Sequence, residues 1–128
     1  MEQHILDTFN ELGKMFGTGP LFPNDHDVLA LEIETAGMMF IEVCNEAIFV
    51  YLTDNFYNAR KEIYKQMMII CQPHFQKPPI VVHPIIVDGA KLGFLVKFRM
   101  EDFILPNVDL AIKMLIEKME TIKQMQYE

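Results

Sequence analysis

Residues 28–53 decide the fold: Val28-Leu29-Ala30-Leu31-Glu32-Ile33-Glu34-Thr35, then Ala36-Gly37, then Met38-Met39-Phe40-Ile41-Glu42-Val43-Cys44, then Asn45-Glu46, then Ala47-Ile48-Phe49-Val50-Tyr51-Leu52-Thr53. In the first run Leu29, Leu31 and Ile33 alternate with Ala30, Glu32 and Glu34, the period of a half-buried strand. Met39, Ile41 and Val43 share one face of the second run. Ile48, Val50 and Leu52 oppose Phe49 and Tyr51 in the third. The breaks between runs are only a few residues long, which joins neighbouring strands antiparallel and predicts a three-strand meander.

The pattern changes period on either side. Residues 3–16 place Ile5, Phe9, Leu12 and Phe16 at helical spacing, widened by Leu6 and Met15, and Gly17 stops that helix. Residues 20–27 carry two prolines and Asn24-Asp25-His26-Asp27, and read as a loop. Residues 56–72 return to helical spacing, with Ala59, Ile63, Met67 and Ile70 on one stripe and Tyr64, Met68 and Cys71 on another; Pro73 ends them. Ile80–Val87 and Lys91–Met100 form a hairpin across Asp88-Gly89, with Leu92, Phe94, Val96 and Phe98 on one face. Pro84 lacks an N–H, which places its strand at a sheet edge or a bulge. Residues 107–126 form a last helix, with Asn107 as its N-cap, Val108, Ala111, Leu115, Met119 and Ile122 on one face, and Ile112 and Ile116 beside them. The order α-β-β-β-α-β-β-α predicts an α+β sandwich, an antiparallel sheet packed with helices, as one domain over residues 1–128.

Composition narrows the function classes. The 128 residues are 51% hydrophobic and carry a net charge of −7. That hydrophobic content opposes disorder, and the negative balance opposes nucleic-acid binding, which needs clustered Lys and Arg. No apolar run approaches the roughly 18 residues of a membrane span. The start Met1-Glu2-Gln3-His4 lacks the basic and apolar blocks of a signal peptide. Cys44 and Cys71 sit in apolar runs and read as buried, reduced thiols, which favours a cytoplasmic location.

Chemistry is sparse. No glycine loop follows a strand in the way a phosphate site requires. Asp25-His26-Asp27 has no second histidine at ligand spacing and reads as a solvated turn, and His74 and His83 do not match a zinc pattern. The chain has no serine. Glu32 and Glu34 share a strand face, which a solvated sheet surface explains. The expectation is no catalytic residue, no metal and no cofactor. What stands out is ten Met and ten Phe in so small a chain. Unbranched, polarizable Met side chains adapt to several partner shapes, which points to apolar recognition and self-association surfaces.

The helix Ile5-Leu6-Asp7-Thr8-Phe9-Asn10-Glu11-Leu12-Gly13, the break after it, the meander beginning Leu29-Ala30-Leu31-Glu32-Ile33, and the following helix, hairpin and long helix together resemble the class I chaperones of bacterial type III secretion systems. The Gln72–Pro79 connection departs from the commoner pattern. The resemblance implies a bacterial cytoplasmic homodimer without cofactor. Such a protein binds the extended N-terminal segment of a secreted effector, keeps it soluble and secretion-competent, and helps pass it to the export machinery. By family position Leu12, Phe16, Leu29, Leu31, Ile33 and Ile41 would line the effector-binding pockets, and Ile63, Met67, Met68 and Ile70 the dimer interface. The alternative is a regulatory or adaptor domain of the same build that binds a folded partner or a small ligand.

Overall fold

The computed structural model describes residues 1–88 and 90–126. Helix α1 (Gln3–Phe16) is followed by strands β1 (Val28–Ile33), β2 (Gly37–Val43) and β3 (Ala47–Asn55), helix α2 (Lys61–Ile69), strands β4 (Val82–Val87) and β5 (Lys91–Arg99), and helix α3 (Leu105–Gln126). Short 3-10 turns at Pro73–Phe75 and Met100–Asp102 precede β4 and α3. All five strands join one antiparallel sheet in the order β1-β2-β3-β5-β4. This is the α+β arrangement that the alternation of the meander and the hairpin predicts.

The predicted strand faces hold. Met39, Ile41, Ile48, Val50, Leu52, Leu92, Phe94, Val96 and Phe98 are buried together, and α3 covers them with Val108, Ala111, Leu115, Met119 and Ile122. Helix α1 adds Ile5, Phe9 and Leu12, and Phe103 bridges the layers, its ring 5.4 Å from Phe9 and 5.9 Å from Phe98. Gly17 caps α1 with a left-handed φ of 70°, where glycine carries no Cβ penalty. Gly13 is fixed by close approach: a Cβ there would stand 2.0 Å from the Gly19 carbonyl oxygen. At the far end of the sheet Lys123 Nζ ties α3 to the Asp54 carboxylate and to the Thr35 carbonyl.

Several sequence expectations are corrected. The helix expected over 56–72 spans only Lys61–Ile69. Phe56 continues from β3 with its side chain in the core and its N–H on the Ala90 carbonyl, and Asn58 has a φ of 54°, which a helix does not admit. Ala59 and Cys71 therefore lie outside α2, and its second apolar stripe shrinks to Tyr64 and Met68. The strand expected from Ile80 begins at Val82, while Ile80 makes a lone bridge with Lys77. Helix α3 begins at Leu105, so Asn107 is not its N-cap; its Nδ2 donates to the Asp102 carbonyl at 2.9 Å. Cys44, expected in the interior, is exposed after the end of β2. The Asp88-Gly89 turn falls partly on Gly89, outside the described residues. Among the described residues no helix is long and apolar enough to cross a membrane.

Candidate partner-binding site

The sheet has two outer strands, and Pro84 lies in one of them, β4, as its missing N–H predicts. In an antiparallel sheet the backbone N–H and C=O of alternate residues point to opposite neighbours. On β1, the Val28 carbonyl accepts from the Asn24 N–H at 2.8 Å, and the Val28 N–H donates to Asn24 Oδ1 at 3.1 Å. Val28 therefore faces outward from β2, and by alternation so do Ala30 and Glu32. No hydrogen bond reaches the outer groups of Ala30 or Glu32 among the described residues. Both residues are exposed. Strand β1 thus presents two successive donor–acceptor pairs to whatever lies beside it. The Asn24 carboxamide oxygen also accepts from the His26 N–H at 2.8 Å, which folds Asp25-His26-Asp27 into a turn. Among the described residues no group of three or more His, Cys, Asp or Glu side chains gathers as a metal site.

The residues expected to line effector pockets divide by depth. Leu12 and Ile41 are fully buried and Leu29 nearly so. Phe16, Leu31 and Ile33 are half-buried against the core, the last two beside the free edge of β1. The dimer candidates divide in the same way. Ile63 and Met67 pack inside the single chain, Ile70 is half-buried, and Met68 is 65% exposed. Met68 does not stand alone. A hollow of about 160 Å³ is lined by Tyr64, Met67, Met68, Pro84 and Ile86, and Ile86 is 58% exposed on the outer strand. Period alone marked Met68, but Ile86 joins it only through the placement of β4.

The face of the sheet opposite α3 carries Phe40 and Tyr51 stacked 5.1 Å apart on paired positions of β2 and β3. Tyr51 Oη donates to the Glu42 carboxylate at 2.8 Å. Burial and then the Glu42 carboxylate push the Tyr51 phenol well above its ordinary pKa. Burial also raises the Cys71 thiol, with Lys118 opposing it, so that thiol is a poor nucleophile. A larger hollow of about 570 Å³ lies between the start of α1 and the β2–β3 turn, bordered by Met1, Glu2, Asp27 and Cys44 among others.

No family model and no curated protein sequence matches this chain. Solved structures do. The chain is similar to the Yersinia pestis type III secretion chaperone SycH, solved in complex with a stable fragment of YscM2, with a TM-score of 0.70 at 12% identity, covering 92% of this chain and 98% of that one. It is similar to a chain of the HopA1-SchA chaperone-effector complex, with a TM-score of 0.74 at 10% identity, covering 97% and 98%. It is also similar to a chain of the ExsC-ExsE complex, with a TM-score of 0.76 at 11% identity, covering 97% and 96%. This is the fold of the type III secretion chaperones. The likeness covers 92–97% of the chain at 10–12% identity.

Proposed function

We propose that this chain is a type III secretion chaperone that captures the N-terminal segment of a secreted effector in extended form. The observation that carries the reading is the free edge of β1 at Ala30 and Glu32 on a sheet of the chaperone fold. An extended segment gains main-chain hydrogen bonds by joining such an edge, and alternate side chains find apolar contacts beside it. In this reading Phe16, Leu31 and Ile33, half-buried against the core, supply those contacts, while the buried Leu12, Leu29 and Ile41 support the fold behind them. Ordering an unfolded segment costs several kcal/mol, on the order of 2–5, so apolar contact is needed in addition to hydrogen bonds. Held in this way, the effector segment stays soluble and unfolded for the export machinery, with which the loaded chaperone would work in the bacterial cytoplasm.

The second part of the proposal is a homodimer. Met68 and Ile70 on the α2 side, with Ile86 on β4, form the apolar surface for a second copy, and Ile63 and Met67 hold α2 in place from within. The net charge of −7 keeps such a protein in solution despite its apolar surfaces. The fold neighbours are binding proteins, which supports a non-catalytic role.

The test is purification of the chain from its host with whatever it holds, followed by limited proteolysis. A secretion chaperone protects an N-terminal stretch of its partner and leaves the rest open to the protease. Protection of a compact folded domain, or retention of a small molecule with no protein partner, would instead establish the adaptor reading.

A further inference from the structure

The outer edge of β4 is occupied by a side chain of the same chain. Gln76 follows the 3-10 turn Pro73–Phe75, and its carboxamide lies against Val82. Its Nε2 donates to the Val82 carbonyl at 3.0 Å and to the Cys71 carbonyl at 2.8 Å, and its Oε1 accepts from the Val82 N–H at 2.7 Å. A peptide group of a neighbouring strand would satisfy Val82 with the same donor–acceptor pair. Since Val82 faces away from β5, Pro84 and Ile86 do so too, and Pro84 has no N–H to offer. The first position of the β4 edge is therefore filled by an amide, and the second offers an acceptor but no donor.

The segment that carries Gln76 is itself held. Ile80 is fully buried, and its N–H donates to the Lys77 carbonyl at 2.8 Å. Lys118 Nζ donates to the Ile70 carbonyl at 2.7 Å and lies 6.0 Å from the centre of the Phe75 ring.

The geometry points to Gln76 as a one-residue substitute for a strand, which closes β4 and restricts the addition of extended chains to β1. A sheet with two open edges can join β4 of one copy to β1 of the next, and such a head-to-tail contact repeats without closing on itself. With β1 open, an open β4 would complete the pair of edges that hazard needs, and Gln76 removes it while leaving β1 free. The restriction to β1 rests on the strand-addition reading proposed above; the closure of β4 does not.

The test compares wild type with Gln76→Ala and with Gln76→Met, which keeps the length of the side chain, using the full chain itself as the probe. Amide hydrogen exchange at Val82 should speed up at least about tenfold in both variants, because its N–H loses its partner. Sedimentation should show species larger than wild type that grow with concentration. Adding Ala30→Pro to Gln76→Ala should return the wild-type size, because growth needs both edges. Unchanged Val82 exchange overturns the closure and leaves the β1 reading intact. Gln76 variants that stay at wild-type size, or that grow even with Ala30→Pro, overturn the restriction to β1. A failure of the β1 reading has a different signature: a bound partner with exchange at Ala30 and Glu32 unaltered.

Discussion

The two outer strands of one sheet each have their first outward residue covered, Val28 by Asn24 and Val82 by Gln76, and differ beyond it. Strand β1 leaves backbone groups free at Ala30 and Glu32 and shows small or charged side chains there. Strand β4 has Val82 taken by the Gln76 amide, offers an acceptor but no donor at Pro84, and shows apolar side chains at Ile86 and, across the hollow, Met68. The first edge suits an extended chain of varied sequence, since main-chain hydrogen bonds do not read side chains. The second suits a folded surface of fixed shape. The proposed function, capture of a variable segment by a pair of identical chains, calls for one of each.

The largest effects should come from what supports each edge. Ile41 lies beneath the β1 side and Ile80 beneath the segment over β4, and both are fully buried. Replacing either by Ala should cost about 2–5 kcal/mol in urea unfolding. A much smaller loss for Ile80→Ala would mean that hydrogen bonds alone hold that segment.

A smaller stability effect, with a clear effect on assembly, is expected on the β4 side. Met68→Asp should change the stability of the single chain by no more than about 0.5 kcal/mol, as at an exposed site, and should shift the chain from dimer to monomer in light scattering, with only the concentration-dependent part of the stability lost. Met67→Asp, two per cent exposed, should unfold it. If Met68→Asp leaves a dimer intact, the apolar side of the comparison fails.

On the β1 side, Ala30→Pro removes one outward N–H and no bond to β2. The melting temperature should hardly move, while capture of the partner should weaken by about tenfold, the worth of one or two hydrogen bonds in a desolvated contact. Equal weakening by a proline in place of Ile86 would erase the distinction between the edges.

The smallest effect is one of pH, between the edges, at Tyr51. Its pKa in the folded chain lies above the ordinary value of 10.0, so the neutral phenol is favoured by folding. Its contribution to stability is complete below about pH 10 and is lost as pH rises beyond it, when the unfolded chain ionises first. Tyr51→Phe should flatten that alkaline decline in a series of thermal melts.

Much of this was legible in the residues. Strict alternation in the meander told which side chains enter the core, and the missing donor of Pro84 narrowed its strand to an edge or a bulge, of which the edge is found. The limits of α2 were not legible, because Phe56 to Ala59 keep helical spacing while Asn58 adopts a left-handed backbone. Family position names residues without their depth, so Leu12, Ile41, Ile63 and Met67, which are buried, stand beside the half-buried Phe16 and the exposed Met68 in the same expected surfaces. The roles of Asn24 and Gln76 left no pattern at all. Each depends on where a carboxamide lands after the chain has turned, and only the folded arrangement brings Gln76 to Val82.

The most direct measurement is residue-resolved amide hydrogen exchange on the chain, free and bound to the partner with which it purifies. Capture of an extended segment along β1 predicts that Ala30 and Glu32 exchange quickly in the free chain and at least about tenfold more slowly in the complex, while Val82 is protected equally in both. A complex in which Ala30 and Glu32 exchange as fast as in the free chain would contradict it.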